Sequence, residues 1–293
     1  MVPRVMMPIQ FGSENVTLYT YLAGLNPDCI AFNKYDPSKS TSAVRYPGIF
    51  INTLGGPRKG QIYSETAHVA GVAVKNVTLG YAPTTGSYPS MCGIAWSHPG
   101  ASFIGDNHDP WLKTAMDSGV MSPGRFSIQY QLGGTATMSF GSGVPKVPDS
   151  ASWITSDPEA PGFWSLPGGI GSYDSYLIVD PSAISIYGNT QDVMQIMKDL
   201  GLQNSTFRDQ DNLLGATYPC SNPPELVITV GNVKVPIAKE VMTFGKDSEG
   251  RCVLPVQGSD DAQYPLTLGS PFLASLKNIV FDYDKRAVSV TPL

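Results

Sequence analysis

Short runs of alternating apolar and polar residues dominate the chain: NVTLYTYLAG, GIFINTLG, AHVAGVAVKNVTLGYA, GRFSIQYQLG, ATMSFGS, ELVITVGNVKVPI and NIVFDYDKRAVSVTPL. A period of two sends successive side chains to opposite faces of a strand. Gly, Pro and Asn bound each run, so the pattern predicts half-buried strands joined by tight turns. In VGNV, Val230–Val233, Gly231 can take positive φ, and the segment reads as a two-residue hairpin. Two segments change period. TQDVMQIMKDLGL sets Val193, Ile196, Met197 and Leu200 at i, i+3, i+4 and i+7, predicting a helix with Thr190 as N-cap and Gly201 as its stop. DPWLKTAMDSG predicts a second helix, with Asp109 as N-cap, Pro110 in the first helical position and Gly119 at the end. Both are amphipathic and suited to packing on a sheet.

Composition agrees with a β-rich globular chain. Of 293 residues, 42% are hydrophobic and 15% charged, with 30 glycines and 25 prolines to make turns. The length allows one large or two medium domains. Gly141–Gly169, rich in Pro, Gly, Ser and Asp, is the boundary candidate, and it separates lobes 1–145 and 146–293 of similar strand content. A net charge of −5 without any basic run argues against nucleic acid as a partner. No apolar run reaches the length of a membrane-spanning helix. The opening MVPRVMMPIQFG lacks the features of a signal peptide, so the chain reads as a mature form or as one that is not exported. Cys220 and Cys252 lie 32 residues apart, a spacing that suits a disulfide closing a hairpin-rich region. Cys29 and Cys92 are either buried thiols or a second pair. There is no C-x-x-C, which disfavours zinc and dithiol chemistry. Sequons at Asn15, Asn76 and Asn204, with the cysteines, lean towards a secretory ancestry.

One stretch carries candidate chemistry. In LIVDPSAIS, Leu177–Ser185, an apolar run delivers Asp180 into a tight turn. Together with its surroundings it resembles the pepsin-like aspartic protease family over nearly the whole chain. LIVDPSAIS stands where that family has an apolar run and D-T-G-T-S. YPLTLGSPFLASLKNIVFDYDKRAVSVTPL resembles the family's L-G-x-x-F-L, V-F-D and closing hairpin. YPCSNPPELVITVGNVKVPIAKEVMTF, with Cys252 after it, is similar to the family's cysteine-flanked strands. IQFGS, YDPSKSTS, MCGIAWS and GRFSIQYQL match segments of its first half, and its flap hairpin falls near FINTLGGPRKG. The resemblance implies an all-β, bilobal fold: two related barrel-like lobes, a central cleft and a few short helices. It also implies a catalytic carboxylate from each lobe, the two sharing a proton because both cannot ionise at close range.

The chain departs from that pattern. VTLYTYLAGLNPDC aligned on V-x-F-D-T-G-S-S sets Tyr21 on the first aspartate, Leu22, Ala23 and Gly24 on the residues after it, and leaves Asp28 as the nearest acid. Asp180 is kept, but Pro181, Ser182 and Ala183 follow it. Trp96 stands where a glycine packs behind the first turn, and no tyrosine occupies the flap position near Asn52 or Thr53. No D-T-G or D-S-G exists anywhere. The expected site is therefore Asp180 and Tyr21 as catalytic groups, with Tyr19, Cys92, Trp96, His98 and Ser182 lining the cleft. Asp106, His108 and Asp109 suggest a metal only weakly, and His68 reads as structural. The expected function is non-proteolytic: a monomer, needing no cofactor or metal, whose cleft takes a hydrophobic small molecule and assists a cyclisation, isomerisation or dehydration by proton transfer. A binding protein for a protein or glycan partner is the alternative, and residual endopeptidase activity with a displaced acid is a third.

Overall fold

A computed structural model describes residues 6–13, 16–32, 34–52, 58–83, 90–96, 102, 104–105, 108–131, 135–149, 151–160 and 162–293, with backbone only at 51, 52, 58, 131 and 135. The alternating runs become strands in three sheets. The first has seven strands in the order Met6–Phe11, Val16–Ala23, Ser90–Gly93, Cys29–Phe32, Val72–Ala82, Arg58–Val69 and Val44–Asn52. Pairing of Gln10 with His68 and of Phe11 with Ala67 closes the first six into a barrel. The third sheet has ten strands, drawn from Ser165 to Leu268.

The middle sheet joins the two halves. Its order is Ile154–Thr155, Ala287–Pro292, Leu276–Asp282, Arg125–Gln131 and Thr135–Phe140, so the halves meet where Leu276–Asp282 pairs with Arg125–Gln131. Phe126 stacks on Phe281 at 4.5 Å, and Trp164 meets Phe281 edge-on at 5.0 Å. Arg125 donates through Nε to the buried Asp282 carboxylate at 2.8 Å. Tyr130 shares a hydrogen bond with Ser270 across 140 residues, and burial pushes its hydroxyl up to about 12. One apolar core runs through both halves. A smaller one, Ile30, Phe32, Phe50, Ile62, Ala82 and Ile104, lies beneath the hairpin of Val44–Asn52 and Arg58–Val69. Phe50 sits directly opposite Gly60, where a Cβ would meet its ring at 2.2 Å.

That hairpin lies where the flap was expected, with Asn52 paired to Arg58. Its tip, residues 53–57, falls outside the described residues. The Val230–Val233 turn is a two-residue hairpin with Gly231 at φ +57°. Both expected helices form, each with its N-cap one residue away from the expected one. Asn189 is extended and its side-chain oxygen accepts from Asp192 N–H at 2.9 Å, which makes Thr190 the first helical residue of Thr190–Asp199. Pro110, with ψ 149°, is still extended, so the other helix is Trp111–Asp117, and Asp109 stands outside it, paired with Lys113 at 3.5 Å. Both cysteine pairs are disulfides: Cys220–Cys252, and Cys29–Cys92 across adjacent antiparallel strands. Among the described residues no helix is long and apolar enough to cross a membrane.

Candidate functional site

Each half contains the same device. In the first, Val16–Ala23 runs parallel to Ser90–Gly93, with Leu22 beside Cys92 and Ala23 beside Gly93. In the second, Tyr173–Val179 runs parallel to Leu266–Leu268, with Val179 beside Leu268. A glycine then seats against the turn that follows the long strand. A Cβ on Gly93 would lie 1.8 Å from Asn26 O, and one on Gly269 would lie 2.4 Å from Ala183 O. The two registers therefore superpose. Leu22 corresponds to Val179, Ala23 to Asp180, Gly24 to Pro181, Leu25 to Ser182 and Asn26 to Ala183.

This moves two expected positions. The counterpart of Asp180 is Ala23, two residues beyond Tyr21. A shift of two along a strand keeps every side chain on its face, so the alternating pattern does not resist it. The glycine behind the first turn is Gly93, three residues before Trp96.

Asp180 is 4% exposed. Its Oδ1 accepts from Ser182 N–H at 2.9 Å, from Ser182 Oγ at 2.7 Å and, from the other half of the chain, Gly24 N–H at 2.8 Å. The turns touch at van der Waals limits. A Cβ on Gly24 would stand 2.3 Å from Val179 O and 2.7 Å from Asp180 Cα, both backbone atoms that cannot swing aside. Gly24→Ala is expected to cost about 1–3 kcal/mol as overpacking where the halves meet. Thermal melts of the variant check this, and an unchanged midpoint would show that the turns can separate freely. The replacements also match one another chemically. Gly24 N–H requires an acceptor and Asp180 supplies it; Pro181 has no N–H, and Ala23 opposite has no carboxylate to receive one.

The structure brings Ser182 onto Asp180 and places Tyr19, Trp96 and Cys92 elsewhere. Tyr21 is half-buried and pairs with Met6 and Met91; Tyr19, on the same strand, is 59% exposed. Trp96 is 2% exposed, edge-on to Trp164 at 4.8 Å with the Arg286 guanidinium at 5.6 Å from its ring, so it is core and offers a ligand almost no surface. Cys92 is fully buried in its disulfide and cannot line a cleft. His98 and Asp106 lie outside the described residues. His68 is a half-buried strand residue paired with Ala73, and His108 stacks on Tyr46 at 5.2 Å.

Two buried carboxylates of the first half have local partners. Asp28 accepts from Ser102 Oγ at 2.9 Å and Ile104 N–H at 3.3 Å. Glu65 accepts from Tyr35 and Ser42 hydroxyls and from Thr66 N–H. Burial first, then the Glu65 carboxylate, pushes the Tyr35 hydroxyl well above its ordinary range. Sequence reasoning missed Ala23 as the counterpart of Asp180 and Gly24 as its donor; Gly24 is the single glycine in YLAGLNPDC, the one local signal available.

The family model described as eukaryotic aspartyl protease matches residues 9–293 of the chain. No curated protein matches it.

Proposed function

The chain belongs to the eukaryotic aspartyl protease family, and on that footing we propose that it is a non-proteolytic member with a single-carboxylate site. The observation that carries this reading is the register, which gives Asp180 the counterpart Ala23. Family chemistry needs two acids at close range, one to activate water and one to protonate the carbonyl. A lone carboxylate can still move a proton on a bound substrate. With the lobes dividing near residue 145, the cleft takes a hydrophobic small molecule, and Asp180 assists a cyclisation, isomerisation or dehydration, with Tyr21, two residues before Ala23 on its strand, as a second polar group.

The test is incubation with a panel of apolar small molecules bearing a carbonyl or hydroxyl group, read by chromatography and mass. Isomerisation and cyclisation leave the mass unchanged, and dehydration removes one water. Asp180→Asn is expected to leave binding within a few-fold and to lower turnover by roughly 10²–10⁴, the usual worth of general acid–base help. The three donors on Asp180 Oδ1 favour a second reading, in which the carboxylate only locks the turn and the protein binds a partner without catalysis. Then Asp180→Asn would lower stability and leave binding intact, and no turnover would be found in either form.

A further inference from the structure

The strand Val72–Ala82 carries an irregularity opposite Thr66. Glu65 pairs with Val77 and Ala67 with Val74, so Lys75 and Asn76 together face one residue. Asn76 takes φ +59°, a conformation asparagine tolerates better than most side chains. The bulge leaves Lys75 and Asn76 exposed while Val77 and Thr78 are buried on either side of the strand. Asn76-Val77-Thr78 is also a sequon. The asparagine opens onto a hollow of about 410 Å³, walled by Lys75, Thr78, Thr114, Ser118 and the stacked Tyr46–His108 pair. That volume falls within the range of small-ligand pockets, roughly 300–1,000 Å³. Its chemistry is that of a sugar seat: hydroxyls, the Lys75 cation and the carboxylates of Asp109 and Asp117 can hydrogen-bond sugar hydroxyls, and an aromatic stack suits the ring's C–H face.

We infer that Asn76 is N-glycosylated and that the first sugar lies in this hollow. Two disulfides place the chain's folding in an oxidising compartment, where the transferase and its donor reside. In the transfer, the Asn76 carboxamide nitrogen bonds to the anomeric carbon of a lipid-pyrophosphate-linked oligosaccharide. The lipid pyrophosphate leaves with the bonding pair, and the amide gives up one proton. Asn204 is also an exposed sequon, on the turn Gln203–Ser205, but it lines none of the concavities described for this chain.

The full chain secreted from a eukaryotic host, trimmed to one N-acetylhexosamine and mapped by peptide mass, tests the modification. The tag is expected on the peptide containing Asn76 and is lost in Thr78→Val. An unmodified Asn76 in secreted, disulfide-bonded protein overturns the inference, whatever the state of Asn204. Seating is tested by the rate at which an amidase releases the untrimmed glycan from native protein. Tyr46→Ala and His108→Ala are each expected to speed release from Asn76 several-fold. Rates unchanged in both variants would show that the sugar points into solvent.

Discussion

Replacing Cys29 and Cys92 together by alanine is expected to cost about 4 kcal/mol, a fall in Tm of roughly 8–16 °C for a chain of this size. The bond closes a separation of 63 residues, about twice the 32 of Cys220–Cys252, so its loss frees more of the unfolded ensemble. The pair also sits where the first half is most constrained. Cys29 opens the strand that follows the Gly24–Asp28 turn, and Cys92 precedes Gly93, which backs that turn. Both sulfurs are buried in the barrel core, and alanine avoids burying a hydroxyl there. The companion variant at Cys220 and Cys252 is expected to cost about 3–4 kcal/mol. Its bond is also the more reducible in the native state, because Cys220 is exposed. Denaturant and thermal unfolding of both double variants check the order. A loss below about 1 kcal/mol for the Cys29–Cys92 variant, well under that of its companion, would show that the closed loop retains its order without the bond.

How legible such features were depended on how local their causes are. The strands Val16–Ala23, Val72–Ala82, Arg125–Gln131, Thr135–Phe140, Val227–Val230, Val233–Pro236, Leu276–Asp282 and Ala287–Pro292 could be read because alternation is a property of a few neighbouring residues. The Val230–Val233 hairpin could be read because Gly231 alone permits its backbone. The helix caps slipped by one because Asn189 and Thr190 are both competent caps, and the choice rests on which is extended. The site was harder. Asp180 stood out because an apolar strand delivers it to a proline turn. Its donor, Gly24, lies 156 residues away, and only the folded halves bring the two together. Ala23 carries no chemical mark, and displacement by two in a strand is silent to patterning, so Tyr21 took its place in the alignment. The Cys29–Cys92 bond was open for the same reason: it needs the register of two strands that the sequence does not adjoin. Trp96 was misplaced because an aromatic near a turn fits a cleft wall as well as a core, and only its packing on Trp164 separates the two.

The purified protein is expected to cleave no unfolded protein substrate above background at acid pH, at least about 10³-fold below a two-carboxylate site, and to be indifferent to pepstatin-type inhibitors. The proposal stands or falls here: inhibitor-sensitive cleavage abolished by Asp180→Asn would restore a second acid to the cleft and end the single-carboxylate reading. Returning a carboxylate at Ala23 is not expected to rebuild the site. Ala23 is 7% exposed, and in the register its donor would be the backbone N–H of residue 181, which proline lacks. Ala23→Asp alone therefore buries a charge with an unmet acceptor near a second carboxylate, at a cost of a few kcal/mol near neutral pH. That cost shrinks as pH falls, because protonating a buried carboxyl removes the charge the fold disfavours. Ala23→Asp with Pro181→Gly supplies the donor and the freer turn together. The double variant is expected to recover part of the stability lost at neutral pH and to be the first form with detectable acid proteolysis. If it is as destabilised as Ala23→Asp, the missing N–H of Pro181 is not what the second carboxylate lacks, and the matched replacements at positions 23, 24, 180 and 181 are independent of one another.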